Sequence, residues 1–101
     1  MVSKVRVELE RDYVLDLYFR ETTEQYSYTL LLNDQRVLGW DNAKHHPDLP
    51  NAPHHFHNSI GEVEGSTLIG KPIEDVKIVA EKINSFFATF SDLVSDITKR
   101  A

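Results

Sequence analysis

Apolar and polar residues alternate along most of the first forty positions of the chain. A repeat of two is typical of β-strands, whose successive side chains point to opposite faces of a sheet. The alternation predicts four strands, at Lys4–Glu10, Tyr13–Arg20, Gln25–Leu32 and Gln35–Trp40. Their connections are short, and Asn33–Asp34 suits a tight hairpin turn. Short connections favour antiparallel pairing, since parallel strands need long crossovers.

The alternation also predicts which residues face the core. In the first strand, Val5, Val7 and Leu9 are expected to point inward while the charged residues between them face water. In the second strand, the expected inner residues are Tyr13, Leu15, Leu17 and Phe19. A short fifth strand or edge segment is predicted at Ile60–Glu64, after the polar middle of the chain.

Apolar residues in the last thirty positions recur every three or four residues, which is the period of an amphipathic helix. Pro72 suits the first helical position, and Glu74 and Asp75 suit the positive end of the helix dipole. The expected apolar stripe consists of Ile73, Val76, Ala80, Ile83, Phe87, Phe90, Val94 and Ile97, widened by Val79, Phe86 and Leu93. The whole pattern predicts an α+β fold, an antiparallel meander of four or five strands with one long C-terminal helix packed on one face.

The predicted helix is longer than the strands that it covers. From Ile73 to Ile97 it has 25 residues and measures about 37 Å, whereas a strand of seven residues spans about 23 Å. Two outcomes are open. Either the helix breaks between Ala88 and Ser91, where Thr89 or Ser91 can cap a second helix, or its overhang meets a partner, such as a second copy of the chain in a homodimer.

Length and composition limit the classes of protein that fit. The 101 residues predict one domain, 1–101, built from strands (1–40), a histidine-rich loop (41–58), a short strand or loop (59–71) and the helix (72–101). The absence of cysteine excludes disulfides, thiolate nucleophiles and cysteine-type zinc sites. The net charge of −5 disfavours non-specific nucleic-acid binding. Without an apolar run of about 20 residues or a signal peptide, no membrane span is predicted, and the cytoplasm is the expected compartment.

The segment 41–58, called the histidine loop below, contains all five histidines of the chain, His45, His46, His54, His55 and His57. Imidazole transfers protons near neutral pH and binds metal ions, so this loop is the candidate site. Three prolines stiffen it in extended conformations. In extended backbone, His55 and His57 point one way and His54 the other. Asp41, at the end of the fourth strand, can orient an imidazole by accepting its N–H.

Three chemical interpretations of the loop are open. Two or three neutral imidazoles with Asp41 suit zinc, nickel, iron or manganese, and the candidate metal ligands are His45, His46, His55 and His57. Alternatively, one histidine takes the 2′-hydroxyl proton of RNA while another protonates the leaving 5′-oxygen. The candidate catalytic residues are then His54, His55, His57, His45, His46 and Asp41. The third interpretation is structural, with histidines that only hydrogen-bond the backbone of an ordered loop.

Substrate contacts are predicted from residues around the same loop. Lys44 and Arg36 can stabilise negative charge on a phosphate. Asn42 lies beside Asp41 and can donate or accept hydrogen bonds. Trp40 can stack on a nucleotide base, although aromatic residues on strand faces more often belong to the core.

Two segments of the histidine loop resemble a known family. Asp41-Asn42-Ala43-Lys44-His45-His46-Pro47, followed by Pro53-His54-His55-Phe56-His57, is similar to the signature of the TumE-type toxins of prokaryotic toxin–antitoxin pairs. The layout agrees over nearly the whole chain, with strands first, then the histidine loop, then a helix. The tract Leu49–Ala52 between the two motifs and the long helix depart from the family pattern.

The resemblance implies a toxin whose partner is a small helix-turn-helix antitoxin. Together with the five clustered imidazoles, it predicts a toxin that acts on RNA as a histidine-dependent ribonuclease, with or without help from a metal ion. The alternative is a non-catalytic module in which the histidine loop binds a metal, a ligand or the partner protein.

Overall fold

A computed structural model describes residues 1–100, with the side chains of residues 1–89 and 91. Six antiparallel strands form one sheet in the order of the chain, followed by one helix. The strands are β1 (Val2–Glu8), β2 (Tyr13–Arg20), β3 (Gln25–Leu32), β4 (Gln35–Asp41), β5 (His55–His57) and β6 (Val63–Gly65), and the helix is α1 (Pro72–Arg100). The predicted α+β class and the meander connectivity are confirmed.

The predicted number of strands, four or five, is wrong because the sheet has six. The segment expected to hold a fifth strand, Ile60–Glu64, overlaps β6 at Val63 and Glu64. The unexpected strand is β5, a three-residue segment inside the histidine loop that pairs with the end of β4. Three residues that follow a proline-rich tract are too few to give a recognisable alternating pattern, so the sequence alone did not indicate this strand.

The central strands form as the alternation predicts. Leu15 of β2 lies opposite Leu30 of β3, which lies opposite Leu38 of β4, and all three leucines are buried. Because directly paired residues share one face of a sheet, these strands present one continuous apolar surface. Asn33 and Asp34 both have positive φ, as the tight hairpin between β3 and β4 requires.

The first strand is present, but its predicted burial is wrong. Val5 and Val7 remain 52% and 38% exposed, and every residue of β1 is exposed. Leu9 lies beyond the strand and packs against the core only in part. The alternation predicted the strand and the face that its valines share. These valines stay exposed because β1 is an edge strand that no second layer of the described residues covers.

Helix α1 packs on the apolar surface of the sheet. Its most buried apolar residues, among those with described side chains, are Val79 and Ile83, and Phe86 and Phe87 contact the ring of Tyr13 at the start of β2. The face of the sheet that packs against α1 is called the helix face below, and the other is called the open face. In the part of the chain that the structure describes, no helix is long and apolar enough to cross a membrane.

The helix runs without a break through the segment from 88 to 91, so the second short helix does not form. Its 29 residues correspond to about 43 Å. The predicted stripe is wrong at Ile73, which is 85% exposed, and at Ala80, which is also exposed. Val79 and Ile83, which also belong to the predicted stripe, are buried. The predicted stripe residues Phe90, Leu93, Val94 and Ile97 lie outside the described side chains.

Asp75 fastens the start of α1 to the loop before it. Its carboxylate, which is fully buried, accepts hydrogen bonds from the backbone N–H groups of Ile69, Gly70 and Lys71 at 2.8 to 3.3 Å. A charged acceptor suits this position because backbone donors at a helix start lack partners within the helix. The loop 66–71 also supplies Leu68, which is fully buried in the core.

We predict that Asp75→Asn lowers the free energy of unfolding by about 2 kcal/mol, because an amide carries no charge and one acceptor oxygen for three donors. Urea unfolding followed by circular dichroism measures the change. Glu74→Gln, at the neighbouring exposed position, is the matched control and should change it by less than about 0.5 kcal/mol. Equal losses in the two variants would contradict this role of Asp75.

Candidate functional site

The pairing of β4 with β5 brings the histidine loop onto the sheet. Asp41 lies directly opposite His55, and Trp40 lies opposite Phe56. Because successive residues alternate between faces, Trp40 and Phe56 point to the helix face, where their ring centroids are 5.0 Å apart. Asp41, His55 and His57 therefore share the open face.

Asp41 connects the two histidines of β5. Its Oδ1 is 3.0 Å from Nε2 of His55, and its Oδ2 is 3.2 Å from Nε2 of His57. The Nδ1 of His55 is 3.0 Å from the carbonyl oxygen of Pro53. The side chain of His55 is only 2% exposed, whereas His57 and Asp41 are half-buried. Ligating atoms of these three residues all lie within 4.8 Å of one another.

His46 lies over the same group. Its ring centroid is 4.8 Å from that of His55 and 6.5 Å from that of His57. His45 is next along the chain, with its ring 6.5 Å from the His46 ring. A cavity of about 330 Å³ is lined by these four histidines and by Asp41, Arg36, Ala43 and residues 25–27. We call His45, His46, His55, His57 and Asp41 the open-face cluster.

The environment of His57 favours a neutral ring. Burial lowers the pKa of His57, and the nearby Arg36 guanidinium lowers it further, while the hydrogen bond to Asp41 acts in the opposite direction. A neutral imidazole keeps a lone pair that can accept a proton or bind a metal ion. Arg36 itself makes no hydrogen bond or ion pair to the other described residues, so its guanidinium can meet an anion in the cavity.

The fifth histidine is held on the other side of the sheet. The Tyr26 hydroxyl and Nδ1 of His54 form a hydrogen bond of 2.8 Å, and the two rings are stacked with centroids 5.8 Å apart. Burial raises the pKa of Tyr26, so the phenol stays protonated. The structure therefore does not bring His54 to the open-face cluster, in keeping with the opposite direction predicted from the sequence.

The predicted substrate contacts are also divided. Arg36 lines the cavity of the cluster, but Lys44 lines a different cavity with His54. Asn42 has a structural task, because its Oδ1 accepts from the N–H of Tyr26 and its Nδ2 donates to the Glu24 carbonyl. Trp40 is buried on the helix face, where no base approaching the cluster can stack on it.

Several residues that line the cavity or hold the histidine loop in place were not among the predicted site residues. Gln25 and Ser27 line the cavity, and Ser27 lies directly opposite Asp41 in the β3–β4 register. The alternation of β3 could have indicated Ser27, because it faces away from the buried Tyr26 and Tyr28. Asn51 holds the loop in place by donating to the carbonyls of residues 66 and 68 at 2.7 and 3.0 Å. No local sequence pattern predicts these hydrogen bonds.

The cluster combines groups that serve two kinds of chemistry. Imidazoles and a carboxylate beside a cavity can transfer protons to and from a bound substrate. The same groups are ligands for divalent transition metals. A free guanidinium at the side of the cavity suits an anionic substrate, such as a phosphodiester.

Comparison with protein families gives a match over residues 1–100 to the model of the family described as Toxin TumE. No curated protein and no solved structure matches the chain. The family match spans the sheet, the histidine loop and the helix, so it covers every element described above.

The two faces predict an order of chemical reactivity among the histidines. With diethyl pyrocarbonate, which modifies accessible imidazole nitrogens, we expect exposed His45 to react fastest and His55 slowest, since both nitrogens of His55 are engaged and its ring is buried. Peptide mass spectrometry at short reaction times measures the order. In urea the five rates should become equal, and fast modification of His55 in the folded protein would contradict the geometry.

Proposed function

The chain belongs to the TumE toxin family, and we propose that it arrests growth by cleaving RNA at the open-face cluster. As a member of that family it is the toxin component of a toxin–antitoxin pair, and an antitoxin is its partner. The observation that carries the ribonuclease proposal is the convergence of four histidines and Asp41 on one cavity beside Arg36. The chemistry of that group supports transfer of protons around a phosphodiester.

The reaction that fits these groups is internal transesterification of RNA. His46 takes the proton of the 2′-hydroxyl, and the resulting oxygen attacks the neighbouring phosphorus. The bond from phosphorus to the 5′-oxygen breaks as His45 gives that oxygen a proton. The products are a 2′,3′-cyclic phosphate and a free 5′-hydroxyl, so protons and bonds balance.

These roles follow from which side chains are already engaged. Neither the His45 nor the His46 imidazole makes a hydrogen bond to another of the described residues, and the two rings are 6.5 Å apart, so they can face different oxygens of one phosphodiester. His55 and His57 both contact Asp41, so their imidazoles are already engaged. Arg36 stabilises the charge that develops on the phosphate.

The acidic chain favours a local contact with RNA over general attraction to it. With a net charge of −5, long-range attraction to phosphates is weak, because counterion release depends on basic side chains. We therefore propose recognition of one short single-stranded segment at the cavity. This matches a site whose only nearby guanidinium, among the residues lining the cavity, is that of Arg36.

We predict that purified protein cleaves single-stranded RNA and that His46→Ala lowers the rate by at least about 100-fold, the usual contribution of a general acid or base. Gel analysis of a labelled oligonucleotide measures the rate. His54→Gln is the matched control, because His54 belongs to the same loop but lies on the helix face and glutamine can still accept from Tyr26. An oligonucleotide with a 2′-deoxy group at the cleaved position should remain intact.

A different result would favour the second candidate, a non-catalytic binding module. RNA that stays intact with and without divalent metals, while His46→Ala or His57→Ala still relieves growth arrest, would remove the ribonuclease proposal. The cluster would then act by holding a metal, a ligand or the partner protein. The acidic charge of the chain is the observation that favours this candidate.

We also propose the nature of the partners. The antitoxin is proposed to be a small helix-turn-helix protein, and the site of action the cytoplasm, where RNA is found. The length of α1 supports a homodimer, because a continuous helix of 29 residues extends beyond strands of at most eight residues. The sequence continues its apolar stripe into the last turns, through Leu93 and Val94.

Light scattering after gel filtration tests the homodimer. We expect twice the chain mass at high concentration, falling toward the monomer on dilution. Val94→Asp should shift the equilibrium to the monomer by about tenfold or more, because a charge in an apolar helix contact is costly, while Ser95→Asp should leave it unchanged. A monomer at every concentration would contradict the proposal.

A further inference from the structure

We propose that Asp41, His55 and His57 bind one divalent transition-metal ion. This set narrows the hypothesis from the sequence, which combined Asp41 with two or three imidazoles from four candidate histidines, because it keeps Asp41, His55 and His57 and omits His45 and His46. The proposal concerns the same cavity as the proposed ribonuclease and deepens it, but binding of the ion is argued from the three side chains alone.

The first argument is the hydrogen bonding of His55. Its two ring nitrogens each lie 3.0 Å from an oxygen, the Pro53 carbonyl oxygen and Oδ1 of Asp41. A neutral imidazole carries one N–H and therefore donates to only one of the two. In the neutral form the other nitrogen turns its lone pair toward an oxygen, in a ring that is only 2% exposed, whereas a doubly protonated ring would donate to both oxygens. An ion between Nε2 and Asp41 removes this conflict, because both atoms then face a cation.

The second argument is the spacing of the ligating atoms. Two neighbouring ligands at about 2.1 Å from one ion are about 3.0 to 3.4 Å apart in octahedral or tetrahedral geometry. Asp41 lies 3.0 Å from His55 and 3.2 Å from His57. All three residues offer ligating atoms within 4.8 Å of one another, so binding of a single ion requires the side chains to turn toward it.

The third argument is the support behind the ligands. Metal-bound histidines usually donate their second ring N–H to a carbonyl or carboxylate, which fixes the ring. Pro53 provides such a carbonyl for Nδ1 of His55. Asp41 and His55 are directly paired across β4 and β5, and His57 is two residues along the same strand. The sheet therefore holds the ligands in place before an ion arrives.

Two histidines and one carboxylate leave coordination positions open on the cavity side. Such sites are typical of iron, and mixed nitrogen and oxygen ligands also suit zinc, manganese and nickel. If the proposed function holds, a phosphate oxygen is the substrate group that meets the ion, next to Arg36 and beneath His46. The ion would add positive charge to a site where, among the residues lining the cavity, Arg36 carries the guanidinium.

Isothermal titration of chelator-treated protein with Zn²⁺ alone tests the proposal. We expect one ion per chain, and about 100-fold or greater loss of affinity in His57→Gln and in Asp41→Asn, since losing even an outer partner of a ligand costs 10–100-fold. His54→Gln is the matched control and should bind as the unmodified chain does. Circular dichroism verifies that each variant is folded.

Two further measurements make the outcome independent of RNA cleavage. Zn²⁺ should raise the melting temperature of the unmodified chain and of His54→Gln, but not that of His57→Gln. Nitrogen-15 spectra of the imidazoles should shift at His55 and His57 on addition of Zn²⁺. The proposal would be overturned if Zn²⁺ does not bind or if His57→Gln binds it as tightly as the unmodified chain does. It would also be overturned if the spectra show a doubly protonated His55 that does not change on addition of Zn²⁺. Metal binding without RNA cleavage would uphold it while removing the proposed ribonuclease.

Discussion

The packing of Phe56 against Trp40 determines where the histidines of β5 lie. Both rings are buried on the helix face, and Lys82 of α1 lies over the Phe56 ring at 5.1 Å. Since side chains alternate along a strand, burying Phe56 turns both of its histidine neighbours to the open face. A slip of one residue would move the phenylalanine to the open face and the imidazoles to the helix face, and the apolar contact between Phe56 and Trp40 opposes that slip. Apolar packing on one face thus sets the chemistry on the other.

The sequence predicted the elements whose patterns are long. The strand patterns of β2, β3 and β4 extend over seven or eight residues, and Pro72 and the apolar period indicate the helix. It could not predict β5, because three residues carry too little pattern and the pairing with β4 is a long-range contact. Nor could alternation reveal that β1 would stay exposed, because an apolar face says nothing about whether another layer covers it.

The site was predictable to the same extent, because local sequence patterns reveal which face a residue lies on but not which distant segments come together. Alternation around Phe56 separated His54 from the histidines of β5, and Asp41 was rightly expected to lie near the loop. The position of His46 above the sheet could not be predicted from the sequence, because the path of the loop depends on the hydrogen bonds of Asn51 to residues 66 and 68. These contacts join segments that are more than ten residues apart, and local propensity does not encode them.

The exposed first strand also bears on how the molecule avoids aggregation. Unpaired strand edges invite other chains to add strands, and natural proteins discourage this with charged side chains. Lys4, Arg6 and Glu8 alternate with the valines of β1, and the Arg6 guanidinium pairs with Asp16 of the neighbouring strand at 2.9 Å. An incoming strand would have to strip water from this charged row. The edge therefore protects against fibrillar stacking even though its valines face solvent.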